Sequence, residues 1–298
     1  MLINSGNLRD LQRGFKAAFQ SGFAGVQPTY RRISTVVPSA TAAEDYGWIG
    51  DLPAMREWVG PRVINNIKDH GYSIRNREWE LTISVPRPKI EDDQHGIYAP
   101  LMTEMGRSTA AHPDELVWDV VANGFTLKCY DGKPFFSEQH PVIDAKTGKP
   151  AATSNVQTGA GKPWFLLDTS RALKPVIFQE RKKPEFVPRD NPDDERVFDY
   201  NEFVYGTYAR YNVGFGFWQM AFASKAELNS ANLRAAITAM EGLTSDNGKK
   251  LGIKPNLIVV GTSNKFKARD LLTVDTLPGG GANPDRGLVE ILEAPRLD

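Results

Sequence analysis

The stretch that most narrows what this chain can fold into runs from Arg77 to Gly124. It opens with Arg77-Glu78-Trp79-Glu80-Leu81-Thr82-Ile83-Ser84-Val85, where Trp79, Leu81, Ile83 and Val85 alternate with Glu78, Glu80, Thr82 and Ser84. A period of two is what a strand with one buried and one wet face requires. Pro86 and Pro88 end it, because neither can donate to a sheet ladder. The acidic triplet Glu91-Asp92-Asp93 follows, where the positive end of a helix dipole would favour it. Ile97, Leu101, Met102 and Met105 read as one helical face. After Gly106 a second helix is expected, with Pro113 in its first turn. It would carry Leu116, Val117, Val120 and Val121 on one side and close on Asn123-Gly124 as a left-handed cap. A long ribbon feeding a long two-part helix is unusual in a compact enzyme and suits a subunit that reaches over its neighbours.

The rest of the chain mixes helices and strands. Leu8, Leu11, Phe15 and Phe19 have helical spacing between Asn7 and Gln20, and Gly22, Gly25 and Pro28 end that element. Residues 1–45 read as an arm with one short helix and no core of its own. Between Tyr46 and Pro61, Trp48 and Trp58 stand among glycines and prolines, with little nearby sequence to bury them. Residues 130–161 are rich in turn chemistry. Trp164–Leu167 and Val176–Gln179 read as short strands, and Arg181–Arg196 as a solvated, mobile loop of mixed charge. From Phe203 to Phe222 the alternation returns, with Tyr205, Ala209, Tyr211, Val213, Phe215 and Phe217 sharing a face. Asn232–Gly242 is an amphipathic helix and Leu257–Val260 an apolar strand. Ser263 is expected to cap a helix to Leu272; a loop over Leu277–Pro284 and a strand over Leu288–Leu292 follow. No regular βαβ alternation runs through this order, which makes the class α+β.

Composition removes several functions. The 298 residues carry 36 basic and 36 acidic side chains, so the formal net charge is zero. A protein that grips nucleic acid specifically shows a basic surplus. The single cysteine, Cys129, rules out an internal disulfide framework and fits a reducing compartment. No apolar run reaches the ~18 residues of a membrane span, and the N-terminus has no secretory pattern, so cytoplasmic synthesis is expected. Cys129, His140 and Asp144 can be drawn as nucleophile, base and orienter, but a buried structural cysteine is the commoner use. Glu91, Asp92, Asp93 and His95 could hold a hard cation; carboxylates at a helix start are commoner. Gly279-Gly280-Gly281 lacks the Lys-Ser/Thr of a phosphate loop. Trp118 reads as core, whereas Trp48 and Trp58 suit an interface as well as a core. None of these groupings defines a reaction, and no cofactor or metal is expected.

A collinear series of motifs resembles a known family. It runs Tyr46-Gly47-Trp48-Ile49-Gly50, Arg56-Glu57-Trp58-Val59-Gly60, His70-Gly71-Tyr72-Ser73-Ile74, Glu91-Asp92-Asp93, Gly96-Ile97-Tyr98 and Pro113-Asp114-Glu115-Leu116. It continues through Tyr130-Asp131-Gly132, Phe135-Phe136, the stretch Ala209 to Gly216, and Lys254-Pro255-Asn256-Leu257. The chain resembles, along essentially its whole length, the major head subunits of Mu-like bacteriophages and prophages. The resemblance implies the tailed-phage capsid fold of the Hong Kong 97 type, an α+β fold. Its parts would be an N-terminal arm (1–45), an extended loop region (46–90), a spine helix with peripheral domain (91–222) and an axial domain (223–298). Val63–Ile90 would form the extended loop, with Trp79–Val85 as its returning strand.

The resemblance further implies self-assembly into hexamers and pentamers of an icosahedral head around double-stranded DNA. Trp48, Trp58, Arg62, Tyr72, Arg75 and Trp79 would be inter-subunit contacts. The partners would be a separate scaffold and maturation protease, a portal, decoration proteins and non-specifically packaged DNA, with no membrane. A neutral chain suits a wall that must fill with DNA and release it, since basic contacts would be adhesive. Two rivals remain at this point: a nanocompartment shell of the same fold, and a cysteine hydrolase using Cys129 and His140.

Overall fold

The computed structural model describes residues 5–46, 71–93, 96–144, 147, 149–191, 194–245 and 249–298. Helix α1 (Ser5–Ala24) leads through a 3-10 turn at Tyr30–Arg32 to strands β1 (Ser34–Pro38) and β2 (Ala43–Asp45). Strands β3 (Ser73–Arg75) and β4 (Arg77–Pro86) precede a short helix α2 (Arg87–Glu91) and the long helix α3 (Ala99–Ala122). The middle supplies β5 (His140–Ile143), β6 (Pro150–Thr153), β7 (Val156–Gln157), β8 (Trp164–Leu167) and β9 (Val176–Arg189). Helix α4 (Glu195–Tyr200) joins β9 to β10 (Glu202–Phe215). After them come β11 (Ala221–Ser224), α5 (Ser230–Glu241), β12 (Leu257–Val260), α6 (Lys265–Leu272) and β13 (Glu290–Glu293).

Two sheets organise these elements, one in the order β1-β9-β10-β4 and one in the order β13-β12-β8-β11-β7. In the first, β10 pairs antiparallel with β4 without a break from Glu202↔Pro86 to Tyr211↔Arg77. On its other edge β10 pairs with β9 from Val204↔Arg189 to Phe215↔Val176, with a register shift around Arg210. The expected loop over Arg181–Arg196 is therefore corrected: its first half is the outer part of β9. Lys182, Pro184, Phe186 and Pro188 are half-buried there while Arg181, Lys183, Glu185, Val187 and Arg189 are exposed. Pro184 sits where the ladder skips from Glu185 to Lys182, a bulge that needs no donated hydrogen bond. The boundary expected between residues 222 and 223 falls inside β11, and β7 and β8 share a sheet with β12 and β13.

Two apolar cores form. The larger joins the second sheet, α5, the inner ends of β9 and β10, and Val117, Trp118 and Val121 of α3. The smaller contains Leu8, Phe15 and Phe19 of α1, Met102 and Met105 of α3, and Val85, Ile90, Val197, Phe203 and Tyr205. The arm helix thus has a core after all; each of its buried side chains contributes about 1.5–3 kcal/mol by leaving water. Asp114 latches the segment that follows α1. Its carboxylate accepts from the Thr29 amide (3.0 Å), the Thr29 hydroxyl (3.2 Å) and the Tyr30 amide (2.6 Å).

Several local expectations change in the folded chain. Helix α3 is one continuous helix with Pro113 in its interior. Gly106 is not a break: a Cβ there would collide with the Phe19 carbonyl oxygen, and one at Gly22 with that of Thr103. The glycines let two helix backbones meet. Ile97 precedes α3 and is exposed, as is Leu101, so the buried face is carried by Met102, Met105, Thr109 and Ala110. Glu91 ends α2 and pairs with Arg87 at 3.0 Å, while Asp93 accepts from the Ile97 amide at 3.2 Å, closing the turn before α3. Asn123 has φ −86° and a 3-10 turn continues over Asn123–Phe125, so no left-handed cap forms. Gly124 instead admits the Phe136 ring, whose Cδ2 would lie 2.7 Å from an added Cβ. Helix α6 follows a 3-10 turn at Thr262–Asn264, and Ser263 donates its amide to the Asp298 carboxylate instead of capping the helix. No helix among the described residues is long and apolar enough to cross a membrane.

The two glycines of opposite environment give a direct test. Gly106→Ala should lower unfolding stability by about 3 kcal/mol or more, since a backbone must move to admit the methyl group. Gly14→Ala, in α1 with nothing within 4 Å of the new Cβ, should raise it by about 0.5–1 kcal/mol. Urea unfolding of the two variants beside the parent chain checks both signs.

Candidate functional site

Residues 47–70, with Trp48, Trp58 and Arg62, lie outside the described residues, as does His95. The points where that segment leaves and rejoins the fold are well defined. The Tyr46 amide donates to the Tyr72 carbonyl at 2.7 Å, and β2 pairs antiparallel with β3 from Ala43↔Arg75 to Asp45↔Ser73. Both strands hang on Gln179 of β9, which is fully buried. Its Oε1 accepts from the Tyr46 hydroxyl at 2.9 Å, and its Nε2 donates to the Ile74 carbonyl (3.0 Å) and to Asn76 Oδ1 (2.9 Å). Asn76 in turn donates to Ser39 Oγ at 2.7 Å and to the Thr41 carbonyl at 2.9 Å. The Glu44 carboxylate accepts from the Ser39 hydroxyl and the Ala40 and Thr41 amides, which lowers its pKa to about 2.

Among the expected contact residues, Arg75 is exposed, and its backbone carbonyl accepts from Asn212 Nδ2 at 2.7 Å. Tyr72 and Trp79 are engaged inside the chain. The Tyr72 hydroxyl accepts from the Phe215 amide at 2.7 Å, and burial pushes its pKa up to about 12. Trp79 Nε1 donates to the Tyr211 carbonyl at 3.0 Å, and its ring meets His112 edge-on, 4.5 Å between centroids. His112 Nδ1 lies 2.7 Å from the Tyr211 hydroxyl. This seam ties β4 and β10 to α3. Burial pushes His112 below its ordinary pKa, with Glu115 opposing and Arg296 adding to the shift.

The cysteine grouping takes a different form from the one expected. His140 Nδ1 lies 2.6 Å from Asp131 Oδ2, and Cys129 Sγ donates to Asp131 Oδ1 at 3.1 Å. Asp131, not Asp144, is the acidic member; Asp144 accepts from the Thr147 amide in a turn of its own. His140 Nε2 faces the Phe135 carbonyl (3.3 Å) and Asn155 Oδ1 (3.2 Å). Asn155 Nδ2 donates to the carbonyls of Phe135, Trp218 and Ala221. The imidazole stacks on Trp218 with centroids 4.0 Å apart and planes 4° apart. Both ring nitrogens are taken by Asp131, the Phe135 carbonyl and Asn155, and neither is bonded to the thiol, so His140 is not placed to activate it. Burial, and then the Asp131 charge, push the Cys129 pKa far up, the reverse of what a nucleophile needs. Cys129, Asp131 and His140 offer donor atoms within 4.8 Å of one another, but each is already bonded to its neighbour. The cluster pins the 129–140 turn against the second sheet. The signal for Asp131 was its Tyr130-Asp131-Gly132 turn; nothing local marked Gln179 or Asn155.

Two apolar side chains on the short helix between β9 and β10 remain open to solvent. Phe198 is 85% exposed and Tyr200 66%. Acidic Asp194, Glu195 and Asp199 stand beside them.

The cluster predicts that Cys129→Ser keeps the fold nearly intact, whereas His140→Ala, which strands a buried carboxylate, costs about 3 kcal/mol. Asp131 adds a pH signature. Burial alone would raise its pKa, but hydrogen bonds from His140, the Lys133 amide and Cys129 win and hold it below the ordinary 3.8. A depressed folded-state pKa gives stability that is present above 3.8 and lost as pH falls through the folded value. Asp131→Asn should therefore flatten the acid limb of the stability profile below about pH 4, measured by urea unfolding across pH.

Residues 8–297 match the family described as Mu-like prophage major head subunit gpT. The chain is 42% identical over 306 residues to the major capsid protein of Escherichia phage Mu, covering 100% of both chains. Its fold is similar to that of a chain in the procapsid of bacteriophage JBD30, with TM-score 0.86, 44% identity and coverage of 99% and 100%. It is also similar to a chain in the JBD30 capsid decorated with minor capsid protein trimers, with TM-score 0.78, 33% identity and 94% of each chain covered. The chain belongs to the Mu-like prophage major head subunit family and is a phage major capsid protein, a structural protein and not an enzyme.

Proposed function

We propose that the chain assembles with copies of itself into hexamers and pentamers that close an icosahedral head around double-stranded DNA. The observation that carries this reading is the stem at Tyr46, Tyr72 and Gln179, which returns residues 47–70 to the fold where they left it. Segments that cross neighbours enlarge buried contact area without enlarging each subunit's core, and heterologous contacts repeated around an axis close into rings. In this reading Trp48, Trp58, Arg62 and Arg75 contact the neighbouring subunit, while Tyr72 and Trp79 brace the base of the loop. Residues 1–45 act as the arm, α3 as the spine helix, and the four-stranded sheet as loop and peripheral domain. The five-stranded sheet with α5 and α6 acts as the axial domain. Phe198 and Tyr200 add an apolar tip to the outer end of the ribbon.

The partners are a separate scaffold and maturation protease, a portal, and DNA held without sequence preference; assembly takes place in the bacterial cytoplasm. The neutral charge balance supports weak adhesion to DNA. Minor capsid protein trimers decorate the JBD30 capsid, and equivalent decoration is the expected outer partner here.

Sedimentation velocity with negative-stain imaging, with scaffold co-expressed, tests the reading. Rings of five or six subunits, tubes or closed shells are expected. Trp58→Ala should abolish these while leaving the unfolding midpoint of the unassembled subunit within about 0.5 kcal/mol of the parent. A chain that stays monomeric with scaffold present would sink the proposal, and equal loss of folding and assembly would make Trp58 a core residue.

A further inference from the structure

Strand β4 is the outer strand of the four-stranded sheet, with β10 on one side and, among the described residues, no strand on the other. Its pairing with β10 fixes which backbone groups are spent. One step beyond the Glu202↔Pro86 pair, the Arg87 amide donates to the Asn201 carbonyl at 2.9 Å. Bonded and unbonded pairs alternate along an antiparallel ladder, so Arg77, Trp79, Leu81, Ile83 and Val85 turn their amides and carbonyls to β10. Glu78, Glu80, Thr82 and Ser84 turn theirs away, and all four residues are exposed. The other outer edge of the sheet is blunted. Where β9 runs past β1, Pro184 and Pro188 take positions facing away from β10, and a missing amide there stops a further strand. Between Arg77 and Val85 there is no proline. Trp79, Leu81 and Ile83 are also only half-buried, although Tyr205 and Ala209 beside them on β10 are fully covered.

We propose that the open edge of β4 pairs antiparallel with β4 of a second copy, about a two-fold axis through Leu81. The charge pattern selects both the partner and the register. With Leu81 facing itself, Glu80 meets Thr82 of the second copy and Glu78 meets Ser84, so each carboxylate lies opposite a hydroxyl. The strand already uses this chemistry internally, where Thr82 Oγ1 donates to Glu80 Oε2 at 2.5 Å. A slip of two residues in one direction sets Glu80 against Glu80, and like charges directly opposite are unfavourable. A slip the other way brings Pro86, which has no amide, into the ladder. On the inner face the chosen register sets Trp79 against Ile83 and Leu81 against its own copy, which completes the burial of that half-covered row. A two-fold contact is isologous, whereas contacts around a ring are heterologous, so this edge joins one ring to the next. The inference rests on the head-assembly reading in that two copies must meet.

The test is oxidative cross-linking of shells assembled with scaffold co-expressed, in chains that also carry Cys129→Ser. Leu81→Cys sets two thiols opposite one another within disulfide reach, and assembled material should show a covalent dimer on a non-reducing gel. Ile83→Cys, which faces Trp79 of the second copy, should show none. Charge reversal gives an independent readout. Thr82→Glu sets a carboxylate against Glu80 of the second copy twice per contact and should cut the yield of shells about tenfold, with the unfolding midpoint of the unassembled subunit unchanged. Adding Glu80→Lys should restore the yield. Shells without a Leu81→Cys dimer, a dimer through Ile83→Cys, or Thr82→Glu shells in parental yield would overturn the proposal and leave the head-assembly reading standing. A chain that forms no shells with scaffold, and does not cross-link through Leu81→Cys at high concentration, would overturn both.

Discussion

The fold depends on β10 being paired along both edges. Glu202–Tyr211 pair with β4 on one side and Val204–Phe215 with β9 on the other, so most of its backbone groups find partners in the two ladders. Its inward side chains serve both cores: Phe203 and Tyr205 enter the one under α1, and Ala209, Tyr211, Val213 and Phe215 the one under the second sheet. A slip of one residue would turn every one of these side chains outward. That cost fixes the register of β4 and β9 together. Through β9 it places Gln179, and through β4 it places Trp79, so the loop stem and the helix seam inherit their positions from one strand.

Buried polar chemistry in this protein holds backbone in place. Gln179, Asp114 and Asn155 each bond main-chain groups from segments far apart in sequence. Such fully bonded groups rigidify a core and make it specific. The Cys129–Asp131–His140 cluster belongs with them, which is why three residue types common in active sites make no active site here. A head subunit needs this. Contacts repeated many times around a shell demand that every copy hold the same shape.

The parts legible in the sequence were those set by local periodicity. The alternation of Trp79 to Val85, that of Tyr205 to Phe215, and the apolar run Leu257–Val260 all became strands at or near the expected places. What escaped was set by distant partners. Gly106 and Pro113 look like helix breakers, and only the approach of the Phe19 backbone explains why Gly106 lies inside α3. Arg181–Arg189 has the charges and prolines of a loop, yet β10 supplies a ladder for it. Of the two aspartates, Asp144 is the nearer to His140 in sequence; the turn at Asp131 is what brings a different carboxylate to the ring. Gln179 has no local signature, because its three partners come from residues 46, 74 and 76.

The parallel pairing of β1 with β9 joins Ser34–Pro38 to Val176–Glu180. On a ribosome, the earlier strand emerges on the order of ten seconds before its partner, at ordinary rates of synthesis and a separation of about 140 residues. Tyr46 likewise waits for Gln179, Arg32 for Glu290, and Glu115 for Arg296. A chain from which Gln179 has not yet emerged therefore lacks the stem bonds of Tyr46, Ile74 and Asn76. The topology thus delays the anchoring of Tyr46 and Ile74 on Gln179 until more than half of the chain has been made.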